Sequence, residues 1–153
     1  VLLQNNSKNM LLTIGTDSLS YTEFKDFVIV SSNWFTPSLQ EMPNLYEWIL
    51  KMYQNGKIYY FTSKNDIVSL VVTYENTKQH FIYIPYICVH PHFQGQGIGK
   101  QIINHIIEKL PTNTHSIYLE VRKDNTHAIQ LYRKLGFCNF EDRGEKYLLK
   151  KEL

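Results

Sequence analysis

Cysteine is scarce in this sequence, with only two cysteines, Cys88 and Cys138, among its 153 residues. Two cysteines cannot build the dense disulfide framework that stabilises many small secreted domains. Each cysteine lies in an apolar, strand-like stretch, where a free thiol behaves as a small hydrophobic side chain. We therefore expect both cysteines to be reduced and buried.

Long hydrophobic runs and a strong charge of one sign are also missing. No apolar run approaches the ~20 residues that a membrane-spanning helix needs. The sequence starts Val-Leu-Leu-Gln-Asn-Asn, without the basic-then-apolar pattern of a signal peptide. A net charge of +2 from scattered residues argues against nucleic acid or an acidic membrane surface as the main partner. These absences favour a cytoplasmic protein with no nucleic-acid or membrane partner.

The remaining composition is that of an ordinary globular domain. Hydrophobic residues make up 43% of the chain and charged residues 20%, and 153 residues are enough for one substantial core. We expect a single domain over residues 1–153. Aromatic residues are abundant at 14%, and 11 of them are tyrosines. Because tyrosine has both an apolar ring and a polar hydroxyl, this richness suits an aromatic-lined cleft as well as a hydrated edge of the core.

Hydrophobic periodicity predicts the element order β-α-α-β-β-β-α-β-α-β-β. A mixed α/β fold, with helices on the faces of one mixed sheet, is the economical packing of these elements. The predicted N-caps of three helices are Ser20 or Thr22, Asn44, and Asn125. Strands are predicted over residues 10–14, 57–62, 67–74, 81–89, 116–121, 137–142 and 146–151, and helices over 21–30, 44–55, 98–110 and 125–135.

The most informative stretch is Ile87–Lys100, where a short apolar strand is followed by a glycine-rich loop and the start of a helix. Glycines let a ligand approach the backbone closely, and the first amides of a helix have no intrahelical partner. Those amides and the helix dipole suit a phosphate group. The stretch therefore predicts a phosphate-bearing cofactor, with a plain flexible turn as the alternative.

Two other phosphate-binding motifs do not fit this loop. The nucleotide P-loop requires Ser or Thr after its lysine, but Lys100 is followed by Gln101. For the same reason a nucleotide kinase is not supported. The dinucleotide fingerprint requires Gly-x-Gly-x-x-Gly in the first strand-helix unit, whereas these glycines alternate and lie past the midpoint of the chain.

The pattern Gln-x-x-Gly-x-Gly over residues 94–99, after Val-x-Pro over residues 89–91, resembles the coenzyme A signature of the GNAT acyltransferase superfamily. A second stretch, residues 119–137, is similar to the second signature of that superfamily and lies at the expected distance. The predicted strand order before them also agrees. The resemblance implies the GNAT acyl-CoA N-acyltransferase fold, a mostly antiparallel mixed sheet flanked by helices.

The resemblance also implies acetyl-CoA as co-substrate and no metal. Amides of the glycine loop would bind the pyrophosphate, and the main chain of the preceding strand would pair with the pantetheine arm. Asn125 would hydrogen-bond that arm and the small Ala128 would leave room for it, although a plain N-cap and ordinary core are the alternatives. The implied cofactor-binding residues are Ile87, Cys88, Val89, Gln94, Gly95, Gln96, Gly97, Ile98, Gly99, Lys100, Asn125, Ala128 and Tyr132.

Two residues are the predicted catalytic groups. Tyr132 lies one helical turn after Ala128, and a phenol is close enough in acidity to a thiol to protonate the leaving thiolate of coenzyme A. In the resembling family a tyrosine at this place is the usual general acid, and an ordinary core tyrosine is the alternative. The sequence identifies the general base less clearly than the acid, because the predicted strand over residues 81–89 contains no carboxylate. Glu120 is the best substitute, with a structural glutamate as the alternative. Lesser candidates for the base are His90, Tyr83, Tyr86 and Glu75.

The spacing of Glu120 and Asn125 resembles the branch of the family that acetylates protein N-termini. The sequence as a whole predicts an N-acetyltransferase in which a primary amine attacks acetyl-CoA directly in a ternary complex. Cys88 as an acyl carrier is the alternative route, and a non-catalytic acyl-CoA-binding or regulatory domain is the alternative function. A small amine and a peptide N-terminus both fit as acceptor, and either a monomer or a homodimer is expected.

Overall fold

The computed structural model of the chain describes residues 2–5, 10–35 and 38–153. The strands are β1 (Leu2–Asn5), β2 (Met10–Ile14), β3 (Lys57–Ser63), β4 (Asp66–Asn76), β5 (Phe81–Val89), β6 (Ser116–Arg122), β7 (Cys138–Arg143) and β8 (Lys146–Glu152). The helices are α1 (Tyr21–Ser31), α2 (Leu45–Asn55), α3 (Ile98–Lys109) and α4 (Thr126–Lys134), with short 3₁₀ turns at Ser32–Trp34, Leu39–Glu41 and Pro91–Phe93.

Every helix and strand that the periodicity predicts is present, with ends that differ by a few residues. The periodicity did not predict β1, which pairs antiparallel with β2 from Leu2↔Thr13 to Asn5↔Met10. Four residues are too short to show alternation, so the sequence predicted one opening strand instead of two. Between α1 and α2, where the periodicity predicts no helix or strand, the structure has 3₁₀ turns at Ser32–Trp34 and Leu39–Glu41, and residues 36 and 37 lie outside the described part.

The predicted helix caps have different outcomes. Ser20 and Glu23 form a reciprocal capping box at α1, with Glu23 N–H donating to Ser20 Oγ at 3.1 Å. Asn44 is the N-cap residue of α2, as predicted, but its side chain makes no capping hydrogen bond. Its backbone, at φ −119° and ψ 35°, is not in the extended conformation from which a capping side chain reaches the first amides.

The chain divides into two compact units. Unit 1 comprises Val1–Val72 and Tyr86–Glu108. Its strands follow the order β1-β2-β3-β4-β5, and β3 joins β4 through Lys64 and Asn65, both at positive φ. Positive φ at both turn residues is the geometry that matches the twist of a two-residue hairpin. The buried face of α3 consists of Ile98, Ile102, Ile103 and Ile106.

Unit 2 comprises Thr73–Pro85 and Lys109–Leu153, with strands in the order β5-β6-β8-β7. Strand β5 pairs parallel with β6 from Phe81↔Ser116 to Ile84↔Leu119. Pro85 follows this last pair, as expected for a residue with no N–H to donate. Strand β8 lies antiparallel between β6 and β7, and β7 forms the edge of the sheet with all six residues exposed.

Alternation along β6 separates a buried face from a more open one. Ile117 and Leu119 are almost fully buried, whereas Tyr118 and Glu120 point to the other face and are half-buried. The open face therefore carries the chemistry-bearing side chains of unit 2. Among the described residues, no helix is long and apolar enough to cross a bilayer.

Candidate functional site

The glycine loop of unit 1, residues 94–99, connects the 3₁₀ turn Pro91–Phe93 to α3. Gly95 and Gly97 have φ angles of +73° and +78°, which glycine adopts at little cost. A Cβ built on either residue would meet no atom within 4 Å. These glycines are therefore required by the backbone conformation, and the space beside them is open to a ligand.

The start of α3 supplies the amides that the sequence predicted. The N–H of Gln101 donates to the carbonyl of Gly97 at 3.3 Å. The N–H groups of Ile98, Gly99 and Lys100 precede this first helical bond and have no carbonyl one turn earlier in the helix. This end of α3 has the backbone donors and the positive dipole end that suit a phosphate oxygen.

Two glutamine side chains brace the loop. Gln94 Nε2 donates to the carbonyl of Val89 at 2.8 Å, and Gln96 Nε2 donates to the carbonyl of His92 at 2.9 Å. Both amides tie the loop to the residues that precede it. The side chains of Gln94 and Gln96 thus stabilise the conformation of the loop. Their backbone groups, not their side chains, lie alongside the backbone of the neighbouring glycines.

The strand segment before the loop is fixed to β4. Ser69 Oγ donates to the carbonyl of Cys88 at 2.7 Å, and the N–H of His90 donates to the carbonyl of Val68 at 2.7 Å. A strand that is hydrogen-bonded along one edge can pair the backbone N–H and C=O groups of its other edge with an extended ligand. The segment 87–89 therefore offers the backbone that the sequence assigned to a pantetheine arm.

The cysteines differ from the expectation in one respect. Both are free thiols, as predicted, and Cys88 is only 5% exposed. Burial raises the pKa of the Cys88 thiol to about 11, so the reactive thiolate is rare at neutral pH and Cys88 is poorly suited to carry an acyl group. Cys138 is exposed, and the prediction that it is buried is wrong because β7 is an exposed edge strand.

Thiol labelling tests this assignment. At pH 7.5 we expect iodoacetamide to alkylate Cys138 at least tenfold faster than Cys88, because only the exposed thiol is accessible. Mass spectrometry of tryptic peptides measures both rates, and labelling in denaturant should equalise them. Rapid native labelling of Cys88 would restore it as an acyl-carrier candidate.

Two of the lesser candidates for the base have structural roles in unit 1. Tyr86 is buried, and its hydroxyl hydrogen-bonds the hydroxyl of Ser31. Burial raises the pKa of Tyr86 well above its usual value, so its phenol keeps the proton. His90 Nδ1 accepts from the N–H of His92 at 3.1 Å, and its ring lies edge-on to Trp34 at 4.9 Å. His90 thus caps the 3₁₀ turn.

Glu120 is the centre of a polar cluster in unit 2. Tyr83 donates its hydroxyl hydrogen to Glu120 Oε1 at 3.2 Å, and Arg143 Nη1 donates to the same oxygen at 3.1 Å. Arg143 Nη2 also contacts Glu141 Oε2 at 3.4 Å. The Glu120 side chain is 27% exposed, so its carboxylate is neither free in solvent nor sealed in the core.

Tyr83 acts in this cluster as a donor. Burial raises the pKa of its phenol well above the usual value, and the negative charge of Glu120 raises it further. A phenol that holds its proton this firmly cannot accept another from a substrate at neutral pH. The Tyr83 phenol is therefore poorly suited to be the base, and in this cluster it donates a hydrogen bond to Glu120.

An open groove of about 390 Å³ lies beside Tyr83 in unit 2. The hydroxyl of Tyr74 is buried in this part of the sheet and has no hydrogen-bond partner among the described residues. An unsatisfied buried hydroxyl costs about 1–3 kcal/mol. The groove is lined by Tyr74, Glu75, Asn76, Thr77, Lys78, Phe81 and Tyr83.

Helix α4 carries the other predicted residues of unit 2. Asn125 Oδ1 accepts from the N–H of Ala128 at 3.1 Å, which confirms the predicted N-cap. Asn125 is exposed and Ala128 is half-buried. Tyr132 is half-buried too, and its ring lies 5.8 Å from that of Phe137. The C-terminal turn of α4 fixes Tyr132 further, since Phe137 N–H donates to its carbonyl at 2.9 Å.

The sequence did not single out Arg143 or Tyr74, and it named Tyr83 only as a lesser candidate for the base. Period-two alternation identifies the face of β6 that carries Glu120, but it does not show which side chains of other strands approach that face. Arg143 comes from β7, which is not a sheet neighbour of β6. Within the described part of the chain, no three His, Cys, Asp or Glu side chains form a metal site.

Comparison with known proteins places residues 22–137 in a family model described as the Acetyltransferase (GNAT) family. The ribosomal protein bS18 alanine N-acetyltransferase of Escherichia coli K12 is 36% identical over 85 residues, which cover 55% of this chain and 50% of that protein. The spermine/spermidine N(1)-acetyltransferase of Bacillus subtilis 168 is 30% identical over 81 residues, which cover 50% and 53%. The chain thus spans about half the length of the curated relatives it matches.

Solved structures share the fold along nearly the whole chain. A GNAT family acetyltransferase from Elizabethkingia anophelis, crystallised with acetyl-CoA bound, superimposes with a TM-score of 0.70 and 20% sequence identity. The match covers 93% of this chain and 98% of that one. The mixed α/β architecture that the sequence predicted is therefore confirmed.

Proposed function

This chain belongs to the acetyltransferase (GNAT) family, and we propose that it transfers an acetyl group from acetyl-CoA to a primary amine. The observation that carries the proposal is the glycine loop. Gly95 and Gly97 hold a left-handed backbone beside open space, at the point where α3 presents its first amides. A loop of this shape suits a diphosphate, and coenzyme A contains one.

The donor is proposed to lie along backbone and small side chains. Amides between Gln94 and Lys100 would hold the diphosphate, and the main chain of Ile87–Val89 would pair with the pantetheine amides as an added strand. Asn125 uses Oδ1 for its helix cap, and its side-chain Nδ2 can still donate to a pantetheine carbonyl. Ala128 would leave room for the arm because its side chain is a single methyl group.

The proposed reaction needs one base and one acid. The acceptor nitrogen attacks the thioester carbonyl carbon, the C–N bond forms, and the C–S bond breaks to release the thiolate of coenzyme A. The nitrogen loses a proton to Glu120, and the thiolate takes a proton from Tyr132. A backbone amide of the segment 87–89 would stabilise the oxyanion that forms during the attack. Direct transfer is favoured over an acyl-enzyme because Cys88 is a buried thiol.

The acceptor is proposed to approach the groove beside Tyr83. This groove is lined by the aromatic residues Tyr74, Phe81 and Tyr83 and by the acidic residue Glu75. An amine brings both a cation and hydrogen-bond donors, which such a lining can receive. The relatives are named for spermine, spermidine and an N-terminal alanine, so these amines are the first acceptors to test.

Calorimetry and a turnover assay test the proposal together. We expect coenzyme A and acetyl-CoA to bind with micromolar Kd, and release of free thiol to rise above hydrolysis when spermidine or an Ala-terminated peptide is added. Product mass should increase by one acetyl group on the amine nitrogen. Binding without transfer to any amine would favour the non-catalytic acyl-CoA-binding domain, and absence of binding would refute both.

A further inference from the structure

Two donors converge on one oxygen of Glu120. The Tyr83 hydroxyl and Arg143 Nη1 lie 3.2 Å and 3.1 Å from Oε1. Within the described part of the chain, the other carboxylate oxygen, Oε2, has no hydrogen-bond partner. Because an unrestrained glutamate carboxylate rotates broadly about its last torsion, this arrangement distinguishes two oxygens that are otherwise equivalent.

We propose that Tyr83 and Arg143 are positioning residues that hold Glu120 by Oε1 and keep Oε2 for the proton of the attacking amine. This inference rests on the proposed function, because Glu120 is the base of that reaction. Tyr83 supplies a donor from β5 and Arg143 supplies a charged donor from β7. Donors from two different strands fix both the position and the rotation of the carboxylate.

The charges around Glu120 are not balanced by Arg143 alone. Arg143 is shared with a second carboxylate, Glu141, at 3.4 Å, so its positive charge does not neutralise Glu120 alone. Tyr83 is uncharged, and the nearby phenol of Tyr74 is uncharged too. The residue opposite Glu120 on β8 is the apolar Leu148. The net charge of this cluster is therefore negative, which also attracts an ammonium acceptor.

A purely structural tie between strands explains the cluster less well. The Arg143 side chain is 40% exposed and that of Glu120 is 27% exposed, and ion pairs this open to solvent contribute little to stability. A structural tie also gives no reason for both donors to select the same oxygen. The positioning role accounts for this choice because it leaves one defined oxygen accessible.

Steady-state kinetics of Tyr83→Phe and Arg143→Ala test the proposal. We expect kcat to fall about tenfold in each variant, with KM for acetyl-CoA unchanged, because a misplaced base slows only the chemical step. The pH profile of kcat should also differ from that of the wild type, because the carboxylate is no longer held by both donors. Arg143→Lys should recover part of the lost rate.

Tyr118→Phe is the matched control. Tyr118 lies on the same face of β6, but its ring packs between Phe81 and Phe140, and Lys150 lies over it at 5.6 Å. Removal of its hydroxyl should leave kcat and the pH profile unchanged. Thermal unfolding of all variants checks that the fold is retained. An equal loss of kcat in Tyr118→Phe and Tyr83→Phe would overturn the proposal.

A double-mutant cycle identifies the residue through which Tyr83 acts. If Tyr83 works through Glu120, Tyr83→Phe should have no further effect on kcat in a Glu120→Gln background. Additive losses would overturn the proposal, as would a Tyr83→Phe variant with wild-type kcat and pH profile.

A measurement on the free protein separates this inference from the proposed function. With ¹³C-labelled glutamate, the carboxyl signal of Glu120 is the one that disappears in Glu120→Gln. Its chemical shift should change in Tyr83→Phe and stay unchanged in Tyr118→Phe. This result would hold even if no acceptor were found, whereas an unchanged chemical shift would refute the positioning role in an otherwise active enzyme.

Discussion

Tyr132→Phe is expected to lower kcat by roughly 100-fold, with less than a twofold change in the Kd of coenzyme A. The phenol is proposed to donate its proton to the leaving thiolate, an interaction that exists only as the C–S bond breaks. An interaction made only in the transition state changes kcat without changing ground-state binding. Phenylalanine keeps the ring that lies 5.8 Å from Phe137, so the packing of α4 should be retained.

Stopped-flow measurement of thiol release, combined with calorimetry, separates chemistry from binding in this variant. Tyr46→Phe is the control, because Tyr46 is a helical tyrosine on α2 that is 64% exposed. Its loss of a hydroxyl should leave kcat at the wild-type value. Wild-type turnover in Tyr132→Phe would remove Tyr132 from the mechanism and leave protonation of the thiolate to solvent.

Gly97→Ala is expected to weaken coenzyme A binding at least tenfold. Two effects combine at this position. The φ of +78° costs a residue with a Cβ about 1–2 kcal/mol, and the new methyl group would enter the open space assigned to the diphosphate. Isothermal titration calorimetry with coenzyme A measures the change. Because the diphosphate is the group displaced, affinity for a pantetheine fragment without phosphates should change much less.

Gly144→Ala is the matched control for this substitution. Gly144 has a φ of +76°, and a Cβ added to it would likewise meet no atom within 4 Å, but it lies in the turn between β7 and β8. Both variants should lose a similar amount of stability in denaturant titrations. Only Gly97→Ala should lose affinity for coenzyme A. Equal affinity in the two variants would refute the proposal that the glycine loop binds the diphosphate.

The glycine loop and the helix caps show how far local sequence determines this protein. Gly95 and Gly97 need their positive φ for reasons internal to the loop, and Asn125 caps α4 with an oxygen three residues from its partner. Interactions of this range depend on neighbours in the chain, so the order of side chains is enough to predict them. The apolar face of α3 is of the same kind, because helical periodicity alone defines it.

The features that could not be predicted from the sequence depend on which strands are neighbours in the sheet. Cys138 looks like a core residue until β7 is found at the sheet edge, and β1 becomes visible only through its pairing with β2. Sheet order is set by contacts between residues far apart in the chain, and no local pattern encodes it.

The sequence by itself determined all the helices, seven of the eight strands that the structure describes, the glycine loop and the family to which the chain belongs. Only the tertiary structure decided what surrounds Glu120, since Tyr83 lies 37 residues before it and Arg143 lies 23 residues after it. A carboxylate's role depends on the donors within about 3 Å of each oxygen, and folding alone brings these donors together.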